Sequence, residues 1–143
     1  MHALFRLLGI LSFLAVFAVE PAGAQTSDAD QAAIRQVIQS QMAAFQKDDG
    51  PTAYGFASPT IQEKFINPEV FLEMVKTGYP AVYHPRAVEF RDLKVENGRL
   101  LQEVYVVGPD GKPALAVYEM QRQPDGSWRI NGCWLTSAPD QNV

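Results

Sequence analysis

Apolar residues follow a helical period through the first half of the chain and alternate through the second. Between Ser27 and Asp49 they stand at Ile34, Val37, Ile38, Met42 and Phe45, which is one face of a helix. Ser27 offers an N-cap, and Asp28 and Asp30 place carboxylates where the helix dipole favours them. Gly50 followed by Pro51 ends the pattern. "PTAYGFA" and "SPTIQEKF" predict two short helices, each with Pro at the first helical position. "NPEVFLEMVKTG" predicts a clearer one, capped by Asn67, striped by Val70, Phe71, Met74 and Val75, and ended by Gly78. Tyr79, before Pro80, and Tyr83-His84, before Pro85, predict an extended corner.

From Ala87 onward the period becomes two. Four strands are predicted: Ala87 to Val95, Arg99 to Val107, Pro113 to Gln123 and Ser127 to Ser137. Asn97-Gly98, "GPDG" and "PDG" supply tight turns between them. Helices followed by an antiparallel meander make an α+β fold, with a long N-terminal helix and short helices packed on a curved four-stranded sheet. Gly132 inside the last strand is a place for that sheet to bend.

The turns also imply a register, pairing 95 with 100, 105 with 114, and 121 with 129. One face then carries Val88, Phe90, Tyr105, Ala116, Tyr118, Met120, Trp128, Ile130 and Trp134 and is expected under the helices. The other carries Leu93, Val95, Leu100, Val104, Val106, Leu115, Val117, Cys133 and Leu135. A half-exposed sheet alternates with polar residues, so a second apolar face predicts a partner, most simply a symmetric homodimer. Asp92 and Glu103 interrupt the aromatic face. A phase slip at Arg91-Asp92 predicts a bulge that turns Asp92 to solvent and leaves Glu103 as the inner carboxylate. Tyr54, His84, Glu103, Tyr105, Tyr118 and Trp134 are therefore the candidate pocket residues. An imidazole can serve as a general base, but His84 has no orienting motif beside it, and no catalytic residue is assigned.

Composition narrows the classes. Arg6, the 13-residue apolar run Leu7 to Val19 and Ala22-Gly23-Ala24 form a signal peptide with cleavage after Ala24. The run is shorter than the roughly 20 residues that span a bilayer, so no stable membrane insertion is expected after processing. The divisions are a signal peptide over 1–24, one domain over 25–137 and a polar tail over 138–143. The net charge of −4, without a basic patch, argues against nucleic acid. Cys133 is the single cysteine, so no intrachain disulfide forms. With His84 the one histidine beyond the leader, a structural metal site lacks ligands, and no cofactor is implied.

"AFQKDDGPTAYGFASPTIQEKF", "FLEMVKTGYPAVYHPR" and "GSWRINGCWL" resemble a family of exported bacterial domains of unknown function. That family lies in the nuclear-transport-factor-2-like, or cystatin-like, superfamily. The resemblance runs from about residue 30 to 137. It implies a long helix cupped by a curved sheet, a cone-shaped cavity between them, and dimers through the outer sheet face. Enzymes of the superfamily, such as ketosteroid isomerases and SnoaL-like cyclases, place acids and bases in the cone, but their motifs match no positions here.

Three functions are compatible with these residues. The reading favoured is an exported, non-catalytic module that binds a small apolar or aromatic ligand, or a protein. The alternatives are an acid–base enzyme, isomerase- or hydrolase-like, using Glu103 or His84 with a tyrosine, and an assembly factor acting through the outer sheet face. Export to the periplasm or medium is directly testable. N-terminal sequencing of protein from a bacterial envelope fraction is expected to begin at Gln25, and an intact Met1 in the cytoplasm would overturn the cleavage.

Overall fold

The computed structural model describes residues 26–138. The expected signal peptide and all of the expected tail beyond Ala138 lie outside the described residues. Five helices precede four strands: α1 (Asp28–Gln46), α2 (Gly50–Gly55), α3 (Pro59–Phe65), α4 (Pro68–Gly78), α5 (Pro80–Tyr83), β1 (Ala87–Glu96), β2 (Arg99–Val107), β3 (Pro113–Arg122) and β4 (Trp128–Ser137). The fold is α+β, with the helices packed on one face of an open antiparallel sheet in the order β1-β2-β3-β4. No described helix is long and apolar enough to cross a membrane.

Caps set the helix starts. Ser27 Oγ accepts from Asp30 N–H at 3.1 Å, Asp49 Oδ1 from Thr52 N–H at 3.2 Å, and Asn67 Oδ1 from Val70 N–H at 2.9 Å. Each satisfies a donor that the first turn leaves free. The corner between α4 and β1 corrects the expectation. Pro80 to Tyr83 is a helical turn rather than extended chain, because Pro80 sits at the first position, where its fixed φ and missing N–H suit a helix. Tyr79 and His84 on either side remain non-helical.

The expected bulge is present. Phe90 pairs with Val104 and Leu93 with Gln102, so Arg91 and Asp92 together face the residue between. Asp92 is exposed. Gln102 Nε2 donates to the Arg91 carbonyl at 3.0 Å, so the displaced backbone keeps a partner in a buried position. The bulge also returns Leu93 to the face of Phe90.

The faces differ from the expectation. Tyr105 pairs with Leu115, one residue beyond the expected partner, because Gly108 to Lys112 forms a five-residue loop. Gly111 takes φ of 80° there, which an L side chain rarely adopts. A second bulge, between Glu119/Gly132 and Met120/Ile130, inserts Asn131 into β4. A one-residue slip moves a strand's whole side-chain set to the opposite face. Val104, Val106, Cys133 and Leu135, expected outside, therefore join the core, together with Leu93 and Leu100. Val95, also expected outside, lies on the same inner face in register with Leu100, though at the exposed periphery. Glu103, Tyr105 and Trp134, expected inside, stand on the outer face beside Leu115 and Val117.

That outer face covers itself in part. Leu101 and Val117 are only 5% and 7% exposed, although no described helix lies over them. Lys94 and Glu119 flank Leu101 in register, and Glu103 and Trp134 flank Val117. Lys94 pairs with Glu103 at 2.8 Å and Arg99 with Glu119 at 2.6 Å, while Arg99 also lies over the Trp134 ring at 5.2 Å. Long charged side chains thus lay their stems over the apolar residues and keep their heads in water.

Candidate functional site

The pocket is assembled from the buried stripe of α1 outward. Ile34, Ile38, Met42 and Phe45 carry that stripe against the sheet. Gln41 lies on the same stripe, one turn before Phe45, and is 3% exposed. Its Nε2 donates to the Ala53 carbonyl at 3.1 Å, which ties α1 to α2. Phe71 of α4 is the aromatic hub. Its ring lies 5.9 Å from Phe45, 5.6 Å from Tyr54 and 5.8 Å from Phe65 in tilted or edge-on geometry. Tilted pairs of this kind are preferred over face-to-face stacking.

The third wall depends on β4. Ser58, between α2 and α3, is fully buried. Its N–H donates to the Ile130 carbonyl at 2.8 Å, and Ile130 N–H donates to the Phe56 carbonyl at 2.9 Å. Ser58 Oγ donates to Asn131 Oδ1 at 2.7 Å and accepts from Ile61 N–H at 3.3 Å. The start of α3 is thereby fastened to the β4 bulge. Gln62 donates to the carbonyls of Tyr54 and Ala57, and the Tyr54 hydroxyl donates back to the Gln62 carbonyl. These bonds hold α3 at a fixed distance from β4.

Between these walls is a cavity of about 150 Å³, lined by Gln41, Phe45, Ala57, Ile61, Lys64, Phe65, Phe71, Met74, Val75, Tyr79, Val82, Tyr118, Ile130, Gly132 and Cys133. An apolar cavity of that order admits a benzene-sized molecule. Lys64 is the one exposed residue among those described on the lining and so marks the mouth. Tyr118 is 1% exposed, and its buried hydroxyl makes no well-formed hydrogen bond among the described residues, with the Cys133 thiol beside it as a weak acceptor. The neighbouring Cys133 is half-buried as a residue, yet its thiol has interior surroundings. Burial pushes that thiol from 9.0 up to about 12. Burial likewise pushes the Tyr118 hydroxyl well above its ordinary value, with the Cys133 thiol adding to the shift. Both groups therefore stay protonated at neutral pH and can act as donors, the thiol weakly.

Of the residues expected at the pocket, Tyr118 lines it. Tyr54 lies behind Phe71 rather than on the lining. Glu103, Tyr105 and Trp134 are on the opposite face of the sheet: Glu103 is paired with Lys94, and Tyr105 lies under the Arg91 guanidinium at 4.9 Å. His84 stacks on Tyr83 at 3.9 Å and does not reach the lining. Tyr83 in turn donates to Asp48, which pairs with Lys76 at 3.6 Å. That hydrogen bond, with help from Lys76, holds the Asp48 carboxyl below its usual range. The corner between α4 and β1 contributes Tyr79 and Val82 instead. Neither Glu103 nor His84, the two groups expected to act with a tyrosine, stands on the pocket lining.

Gln41 and Lys64 were not anticipated. Gln41 had a readable signal, since it is a polar residue on the apolar stripe, three after Ile38 and four before Phe45. Lys64 had none, because its place depends on how α3 is seated.

The two buried donors give a stability test. The unfolded Cys133 thiol ionises near 9.0 and the native one near 12, so the native state holds its proton longer. Its contribution is complete below pH 9 and is lost as pH rises through that window. Alkaline unfolding should be blunted in Cys133→Ala. Tyr118→Phe should be neutral or stabilising at pH 7, because it removes an unpaired buried hydroxyl whose penalty is about 1–3 kcal/mol. Denaturant melts check both, and a loss above about 1 kcal/mol for Tyr118→Phe would mean that the hydroxyl is paired.

A crystal structure of an NTF-2 like protein of unknown function from Burkholderia xenovorans LB400 aligns with 16% identity, covering 77% of this chain and 90% of that one, with a TM-score of 0.45. No curated protein matches. A family model matches residues 27–143, which takes in every helix and strand described above. The chain belongs to the family described as Domain of unknown function (DUF4864).

Proposed function

We propose that the domain is a non-catalytic, exported module that binds a small, largely apolar molecule in the pocket between α1, α3, α4 and the sheet. The observation that carries this reading is Tyr118. A fully buried hydroxyl with no more than a weakly accepting thiol beside it costs stability, and next to a cavity it is a donor open to a better acceptor. Aromatic and aliphatic side chains supply the rest of the recognition, as in most small-molecule sites. The lining has no carboxylate or imidazole among the described residues, which favours binding over acid–base chemistry.

Two probes of equal size test the reading. Acetophenone and isopropylbenzene differ in whether they offer a carbonyl. Wild-type protein should bind acetophenone about 3–10-fold more tightly, the range of one added hydrogen bond. Tyr118→Phe should remove that preference while leaving isopropylbenzene unchanged. Shifts in nuclear magnetic resonance spectra report both. Equal affinities in the wild type, or a preference that survives in Tyr118→Phe, would overturn the role of Tyr118.

Self-association through the outer sheet face belongs to the same proposal. Tyr105, Leu115 and Trp134 remain partly exposed there, among ion pairs of both signs. Such a surface can meet its own copy about a two-fold axis. Val104 is 0% exposed, in the core, and takes no part in that surface. Leu115→Lys should give soluble monomers in sedimentation while the wild type sediments as a dimer at micromolar concentration. A monomeric wild type would overturn the dimer and leave the pocket reading intact.

A further inference from the structure

Lys64 is the single charged side chain on the pocket lining among the described residues. It takes part in none of the ion pairs found there. Its ammonium lies 5.5 Å over the Phe65 ring, a weak contact for an exposed cation. α3 ends immediately afterwards in an uncommon turn. Ile66 has φ 73° and ψ −51°, and Asn67 N–H donates to the Phe65 carbonyl at 2.8 Å, the geometry of a γ-turn. A β-branched residue is a poor choice for that conformation, and Ile66 is 80% exposed, so its own burial does not explain the turn. Phe65, just before the turn, packs edge-on against Phe71, and Lys64 stands at the rim.

The deep end is uncharged. Tyr118 and Cys133 both present protonated groups, and Gln41, with its amide nitrogen committed to the Ala53 carbonyl, is left with its neutral Oε1. The described lining therefore meets a ligand with neutral polar groups inside and one positive charge at the mouth. An amine would bring a like charge to Lys64 and find no carboxylate to pair with on the described lining. A neutral molecule would leave the ammonium unused.

We propose that the ligand class of this pocket is the small monocarboxylic acid, with an aromatic or compact aliphatic body among Phe45, Phe71 and Ile130, an acceptor on that body for the Tyr118 hydroxyl, and its carboxylate on the Lys64 ammonium. The inference rests on the pocket being a binding site. It adds the sign and position of the ligand's charge. The cavity of about 150 Å³ sets the size, close to one benzene ring plus a head group at the mouth. Lysine binds such a head as a point charge on a flexible stem, so the site discriminates by charge more than by the angle of approach.

Benzoate, benzamide and benzylamine have bodies of the same size and heads that are negative, neutral and positive. Titrations of the purified protein, followed by nuclear magnetic resonance shifts at Phe45, Tyr118 and Ile130, give three dissociation constants. Benzoate should bind tightest and benzylamine weakest. The advantage of benzoate over benzamide should be about fivefold, the upper range for a solvent-exposed ion pair, and should shrink as salt is added. Lys64→Met should erase that advantage while leaving benzamide within about twofold. Lys64 is exposed and outside the core, so the variant keeps the fold. Equal binding of the three, tightest binding of the amine, or an advantage that survives in Lys64→Met would overturn the charge assignment while leaving the pocket as a binding site. Binding by none of the three would overturn the site and this inference together.

Discussion

One extra residue in β4 governs where everything else sits. Asn131 is inserted at the bulge, and its side chain accepts from Ser58 Oγ and donates to Glu119 Oε2 at 3.1 Å. The first bond reaches the helix layer and the second reaches the outer face of the sheet. Ser58 is fully buried, so its hydroxyl needs this partner, and leaving it unpaired would cost about 1–3 kcal/mol. The same residue caps α3. The bulge therefore sets the pocket wall through α3 and, in the same step, decides that Cys133 faces inward and Trp134 outward.

The two faces of the sheet then solve one problem in different ways. Both carry apolar residues in β2 and β3. The inner face is buried by α1, α4 and α5, in a layer that includes Val104, Val106, Ala116 and Met120. The outer face has no helices to spare and uses neighbouring side chains. Glu119 accepts from Arg99, and Arg99 lies on Trp134, so one ion pair and one aromatic ring form a lid over the strands. Exposed ion pairs of this kind contribute little to stability by their charge alone. Their larger effect is the apolar area that their stems remove from water.

This division explains what could be read in the chain and what could not. Helix caps and strand ends are local chemistry. Ser27, Asn67 and Asn97-Gly98 announce them, and the structure places them there. The first bulge was also legible, because alternation breaks visibly at Arg91-Asp92. Face assignment in β2 and β4 is not local. "RLLQEVYVV" is apolar at both parities, so its inner face follows from the length of the loop after it, and "GPDGKP" accommodates either of two lengths. "WRINGCWL" has an aromatic at each end, so a one-residue insertion between them splits Trp128 from Trp134 without a trace in the hydrophobic pattern. Of the six anticipated pocket residues, Tyr118 survives because β3 lies between the two slips and keeps its expected face. Glu103, Tyr105 and Trp134 are lost to the slips themselves.

The pocket is continuous with the core, and that continuity bears on function. Phe45, Phe71, Val75 and Ile130 serve both, so the apolar lining alone is ordinary packing. Core positions are normally filled by side chains without stranded polar atoms, and each level of a folded chain usually agrees with the others. Tyr118 departs from that rule at one atom. A phenylalanine there would fill the same space and remove the desolvation penalty of the hydroxyl. Retaining the hydroxyl next to a cavity, with the neighbouring thiol also held protonated, trades stability for a donor. Lys64 shows a related trade at the surface, since its place at the rim goes with a γ-turn that a β-branched residue fits poorly. Two departures from the easiest choice, one at each end of the same cavity, are the ground on which the binding proposal stands.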